Sequence, residues 1–266
     1  MKDYIKNIGI SAYGNTTKEQ VEHAVGMGFT TYQVILGDPQ RYWPRRESGT
    51  EVLECRKLMA GHVVVCHAPF LINFADDVES KSWKFSLNSI KSHSNLCKEL
   101  GINRMVIHSG SDKGRGEACG ANSWRKALKE LRKEFPDMIY LIENNAYKKN
   151  RYSSLECLGR LVTHLNSRVG GVGICLDTAH AWSAGELGNI DVIKDQVQLL
   201  HLNDHSMDDG CNKDKHADTA LGDGKIGAVS LFKVLVDFDV PAIMELYNDN
   251  LMVNKSFNAM CKVQNS

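Results

Sequence analysis

The stretch Gly173-Ile174-Cys175-Leu176-Asp177-Thr178-Ala179-His180-Ala181-Trp182 decides how the rest of the chain is read. A short apolar run with the character of a buried strand stops at an aspartate, and a histidine follows three residues later. Taken alone, Asp177 before Thr178 reads as a helix cap. The same pattern recurs, however. Apolar, mostly β-branched runs occupy residues 7–11, 30–36, 62–66, 104–108, 138–143, 171–177, 197–202 and 241–245. Between them lie segments of helical periodicity at 17–27, 80–100, 123–135, 154–166 and 228–236, with Thr17 and Ser154 as candidate caps. Strand then helix, about every thirty residues, predicts parallel βα units. Eight such units predict an α/β fold of the (β/α)8 TIM-barrel type, as one domain over residues 1–266.

Composition sets the outer bounds. With 42% hydrophobic and 24% charged residues, 22 Gly and 5 Pro, the chain is that of a folded globular enzyme rather than a disordered or fibrous protein. Lys plus Arg and Asp plus Glu both total 32, so no global charge draws it to nucleic acid or an anionic membrane, and any polyanion must be held locally. No apolar stretch nears the ~20 residues of a membrane span and the start has no signal-peptide core, so a cytoplasmic location is expected. Eight cysteines are scattered without a C-x-x-C pair and are expected to be free thiols.

What ends each strand is the informative feature. In chain order the ends carry His67, His108, Glu143, Asp177 with His180, His201 and Glu245, and the long loop after the seventh strand adds Asp214 and His216. In a barrel of this kind the C-terminal strand ends converge on one face, where active sites form. A single histidine at a strand end is commonly a hydrogen-bonded core residue. Nine imidazoles and carboxylates at one mouth point instead to metal. Five histidines with four carboxylates and no thiolate suit zinc, or manganese, iron or cobalt, and exceed the needs of one ion, so two or three ions are expected.

Seven stretches carry a resemblance: His67-Ala68-Pro69-Phe70-Leu71-Ile72-Asn73, Ile107-His108-Ser109-Gly110-Ser111, Ile142-Glu143-Asn144, Cys175 to Ala181, His201-Leu202-Asn203-Asp204, Asp214-Lys215-His216 with Leu221 to Gly227, and Met244-Glu245. In order, they resemble the motifs of the endonuclease IV family of apurinic/apyrimidinic (AP) endonucleases, AP endonuclease family 2. The resemblance implies a TIM barrel with three zinc ions. His67, His108 and Glu143 would hold the first, Glu143, Asp177, His201 and Glu245 the second, and His180, Asp214 and His216 the third, with manganese possible at one site.

The implied reaction is hydrolysis of the phosphodiester 5′ to an abasic site in double-stranded DNA by a metal-bridging hydroxide. It leaves a 3′-hydroxyl and a 5′-deoxyribose phosphate, with Glu143 and Glu245 as catalytic carboxylates and the protein a monomer. By the same resemblance, Arg41, Tyr42 and Trp43 after the second strand, and Phe70 with Leu71, would enter the minor groove beside the flipped-out nucleotide. Several positions depart from the family pattern. Phe70 stands where the family often has Tyr, the first strand lacks the usual His, and the loop before Leu221 is longer. Ala146 to Arg151 replaces a glycine-rich turn, and its Lys148, Lys149 and Arg151 form a candidate phosphate-contacting patch. The alternative is a single-metal sugar isomerase or epimerase of the same barrel superfamily, which would use only Glu143, Asp177, His201 and Glu245.

Overall fold

A computed structural model describes residues 3–216, 218–246 and 249–266. Eight parallel strands close a barrel in chain order. They are β1 Ile8–Ser11, β2 Thr31–Val34, β3 Val63–His67, β4 Arg104–His108, β5 Ile139–Glu143, β6 Val172–Asp177, β7 Val197–His201 and β8 Ala242–Met244. All eight expected strands form, with ends within two residues of expectation, because strands buried on both faces must read as continuous apolar runs.

Around them lie α1 Thr17–Gly26, α2 Gly49–Leu58, α3 Lys81–Leu100, α4 Glu117–Glu134, α5 Leu155–Asn166, α6 Thr178–Ala184, α7 Ala228–Phe238 and α8 Asn250–Gln264. Three of these helices, α2, α6 and α8, were not expected from periodicity. Helix α2 buries only Val52 and Cys55, too few for an apolar stripe, yet a capping box between Ser48 and Glu51 starts it. Helix α4 begins at Glu117, six residues before the expected start. Ser154 caps α5 as expected, whereas α1 is capped by Thr16, not Thr17, through the Glu19 N–H. The eight cysteines are free thiols, and no described helix is long and apolar enough to cross a membrane.

The core has two shells. Val65, Val106, Leu141, Cys175, Leu199 and Ile243 fill the barrel interior, and a larger layer lies between strands and helices. One irregularity positions the site. Ile174 pairs with Val197, but Cys175 pairs with Leu199, so Gln198 bulges out of β7 and lies exposed. A one-residue bulge reverses which faces the following side chains point to. Val197 belongs to the outer layer, while Leu199 and then His201 point inward, and Asp177 comes level with His201. Gly173 on β6 accommodates the bulge, since a Cβ there would lie 2.7 Å from the Gln198 side chain.

Candidate metal centre

Strand alternation builds the centre directly on the barrel core. Two residues beyond each interior apolar residue, on the same face, stands a candidate ligand. His67 follows Val65, His108 follows Val106, Glu143 follows Leu141, Asp177 follows Cys175, His201 follows Leu199 and Glu245 follows Ile243. These six side chains form the next layer toward the mouth. His180 joins from the first turn of α6, and Asp214 and His216 come from the loop between β7 and α7.

Three groups bring metal-ligating atoms within 4.8 Å of one another: His67, His108 and Glu143; Glu143, Asp177, His201 and Glu245; and Asp177, His180 and His216. Asp214 joins the third group, with Oδ1 2.7 Å from His216 Nδ1 and Oδ2 3.4 Å from His180 Nε2. All nine expected residues are therefore gathered at one mouth. Glu143 stands at the join, only 1% exposed. Its Oε2 lies 3.0 Å from His108 Nε2 and 3.4 Å from His67 Nε2, and its Oε1 3.0 Å from His201 Nδ1.

Asp177 has both of the roles its sequence allows. Oδ1 accepts the His180 N–H at 2.7 Å and caps α6, while Oδ2 faces the cluster and accepts from Asn203 Nδ2 at 2.8 Å. Backbone and carboxamide partners orient the rings. His67 Nδ1 bonds the Ala68 carbonyl at 2.7 Å, His180 Nδ1 the Asn144 carbonyl at 3.0 Å, and His201 Nε2 the Gln33 Oε1 at 2.9 Å. Each such bond consumes one ring N–H and leaves the other nitrogen's lone pair facing the cluster. Gln33 also donates to Glu245 Oε1 at 2.8 Å. Gln33, Asn144 and Asn203 are buried members of the site to which the sequence reading assigned no role. Their only signal was position, beside ligands at strand ends.

Carboxylates and imidazoles at the mouth hold one another's charges. Burial alone would raise the Glu143 pKa, but His108 and His201 outweigh it and hold the carboxyl well below the usual range. Glu245 is lowered likewise, burial being overcome chiefly by His201. Burial disfavours charge on His180 and His201, yet Asp177 drives His180 well above its ordinary value, and Cys175 and Glu245 do so for His201. Two buried atoms that face the cluster, Glu143 Oε2 and His180 Nε2, lie near His108 and Asp214 but make no well-aligned hydrogen bond. Buried polar atoms are rarely left so. Metal ions would satisfy both, and the donor set fits them.

The residues expected to contact DNA divide by environment. Trp43, Phe70 and Leu71 are exposed apolar side chains, 51%, 50% and 42% accessible. Phe70 stacks on His108, with centroids 5.3 Å apart, at the edge of the centre. Arg41 is exposed and pairs with Asp38 at 3.2 Å. Tyr42 is half-buried and stacks on Phe85. Arg151 is held by Asp112 at 2.7 Å, and the Lys148 N–H and amine lie against Asn212 and Gly210 of the loop after β7. Lys149 is exposed.

The family model described as xylose isomerase-like TIM barrel matches residues 21–263. A probable endonuclease 4 of Mycobacterium leprae (strain Br4923) is 32% identical over 227 residues, covering 82% of this chain and 85% of that protein. The crystal structure of endonuclease IV from Thermus thermophilus superposes with a TM-score of 0.82 at 27% identity, covering 97% of this chain and 98% of the other. A D-tagatose 3-epimerase-like protein, at 16% identity and a TM-score of 0.75, shares the fold alone, over 97% of each chain. With its model match, its 32% relative and its mouth of nine imidazoles and carboxylates, the chain belongs to the endonuclease IV family of xylose isomerase-like TIM barrels.

Proposed function

We propose that this member of a nuclease family, a hydrolase of nucleic-acid phosphodiesters, cuts double-stranded DNA on the 5′ side of abasic sites, leaving a 3′-hydroxyl and a 5′-deoxyribose phosphate. The observation that carries the proposal is the density of donors, nine at one mouth with Glu143 Oε2 and His180 Nε2 lacking a well-aligned hydrogen bond. Three ions accommodate them: the first at His67, His108 and Glu143, the second at Glu143, Asp177, His201 and Glu245, the third at His180, Asp214 and His216. Zinc suits imidazole and carboxylate donors, and manganese is compatible at one site. When bound, such ions lower the pKa of water and offset charge on phosphate oxygens.

The chain's own residues do the rest. Glu245, 19% exposed against 1% for Glu143, is the carboxylate more open to water entering the mouth, where it can orient that water. Gln33 and His201 fix its orientation. Trp43, Phe70 and Leu71 are apolar wedges that can occupy the space of an unstacked nucleotide, with Arg41 and Lys149 on backbone phosphates. A single-metal sugar isomerase would use Glu143, Asp177, His201 and Glu245 and leave His67, His108, His180, Asp214 and His216 without a role.

The test is a duplex carrying one tetrahydrofuran abasic analogue. Purified, zinc-loaded protein should cut it 5′ to the analogue and leave a 3′-hydroxyl; an intact duplex would contradict the proposal. Two further outcomes are expected. Gln33→Leu frees the His201 ring and Glu245 together and should weaken metal affinity about 10–100-fold, as measured by chelator competition. Affinity for DNA should fall with salt, and Arg41→Ala should reduce the slope of log affinity against log salt by about 1 if that side chain contacts one phosphate.

A further inference from the structure

The third group differs from the other two in its construction. The ends of six strands, β3 to β8, fix the ligands of the first two, whereas Asp214 and His216 lie on the loop 202–227, whose described residues contain no helix or strand. A loop so placed must be ordered before it can present ligands, and its entropy opposes binding unless something else holds it.

Something else does. The last turn of α6 holds the loop through five hydrogen bonds. Trp182 Nε1–H donates to the Met207 carbonyl at 2.9 Å, and the Gly210 N–H donates to the Trp182 carbonyl at 2.9 Å. The Asn212 N–H donates to the Ser183 carbonyl at 2.9 Å. Ser183 Oγ then closes on the peptide of Lys213 from both sides, donating to its carbonyl at 2.7 Å and accepting its N–H at 2.8 Å.

His205, fully buried, completes the grip. Its Nδ1 accepts the Met207 N–H at 3.0 Å, so Nε2 carries the proton and donates to the Lys213 carbonyl at 2.9 Å. Lys213 immediately precedes Asp214. Ser183 lies three residues after His180 on the same short helix, so one rigid element carries one ligand of the third group and fastens the peptide that carries another.

We infer that Ser183 and His205 are positioning residues for the third metal site, acting through the Lys213 peptide rather than touching metal or substrate. This rests on the three-ion reading proposed above. It predicts a selective defect: loosening the grip should free Asp214 and His216 while leaving the strand-borne sites filled. Ser183→Ala removes one donated and one accepted hydrogen bond at Lys213, and His205→Ala removes the second donor to its carbonyl. Each should weaken the third site about 10–100-fold, the range for partners that orient ligands, and leave the other two unchanged.

The experiment is a zinc titration of metal-free protein against a chromophoric chelator, with the zinc retained after dialysis counted per chain. Wild type should retain three. Ser183→Ala and His205→Ala should retain two, Ser183→Thr should recover three, and His180→Ala should lose the same ion as a control. Thermal melts of the metal-free variants that match wild type, for either Ser183→Ala or His205→Ala, separate positioning from general misfolding. If both variants retain three zinc ions with wild-type affinity while His180→Ala loses one, the clamp is overturned. If His180→Ala also loses none, the third site itself fails and the clamp falls with it.

Discussion

Glu143→Gln should lower the rate of cleavage beside an abasic analogue by at least about 10³-fold. Loss of a partner that merely orients a ligand costs about 10–100-fold in metal affinity or activity, and Glu143 belongs to two of the three groups at once. One oxygen faces His67 and His108, the other His201. The glutamine keeps the shape but is neutral, and its NH2 must turn toward either the histidine pair or His201, where a donor cannot serve as a ligand. Two groups therefore weaken from one substitution. Single-turnover kinetics on the tetrahydrofuran duplex measure the loss, and a decrease smaller than about tenfold would show that the carboxylate does not join the two groups.

The second large effect concerns stability. Asp204 is fully buried, and its two oxygens accept five backbone N–H groups, from His205, Gly222, Gly224, Ile226 and Gly227, at 2.8 to 3.3 Å. It thereby ties the end of β7 to the turn that opens α7. Asp204→Ala leaves all five donors without their acceptor, those of His205 and Ile226 in buried surroundings and those of Gly222, Gly224 and Gly227 partly open to water. At about 1–3 kcal/mol for each donor left buried, reduced where water can enter, the expected loss is about 4–5 kcal/mol. Asp204→Asn, with one acceptor oxygen, should lie between. The cradle also explains Gly224, where a Cβ would fall 2.4 Å from Asp204 Oδ1. Urea denaturation measures the change, and a loss below about 1 kcal/mol would show that the turn finds other partners.

Much of this was legible in the sequence, for identifiable reasons. Parallel strands covered on both faces cannot avoid continuous apolar runs, so the barrel showed itself. Polar residues that end such runs are costly to bury without partners, so the candidate ligands stood out. The bulge at Gln198 did not: Val197-Gln198-Leu199-Leu200 reads as an ordinary strand, and only pairing with β6 reveals the change of face that turns His201 inward. Gln33, Asn144 and Asn203 look like solvent-facing or turn residues until their partners across the barrel are known. In the basic loop, charge alone could not distinguish exposed Lys149 from Arg151, whose partner Asp112 lies on the preceding loop. Asp177, read first as a cap, is a cap through one oxygen and faces the cluster through the other.

Whether three metal ions share this mouth is decided by anomalous diffraction at the zinc edge from crystals grown with zinc. Three peaks are expected: one among His67, His108 and Glu143, one among Glu143, Asp177, His201 and Glu245, and one among His180, Asp214 and His216. A single peak between Glu143, Asp177, His201 and Glu245, with the other five side chains bound only to protein or water, would contradict the three-ion centre.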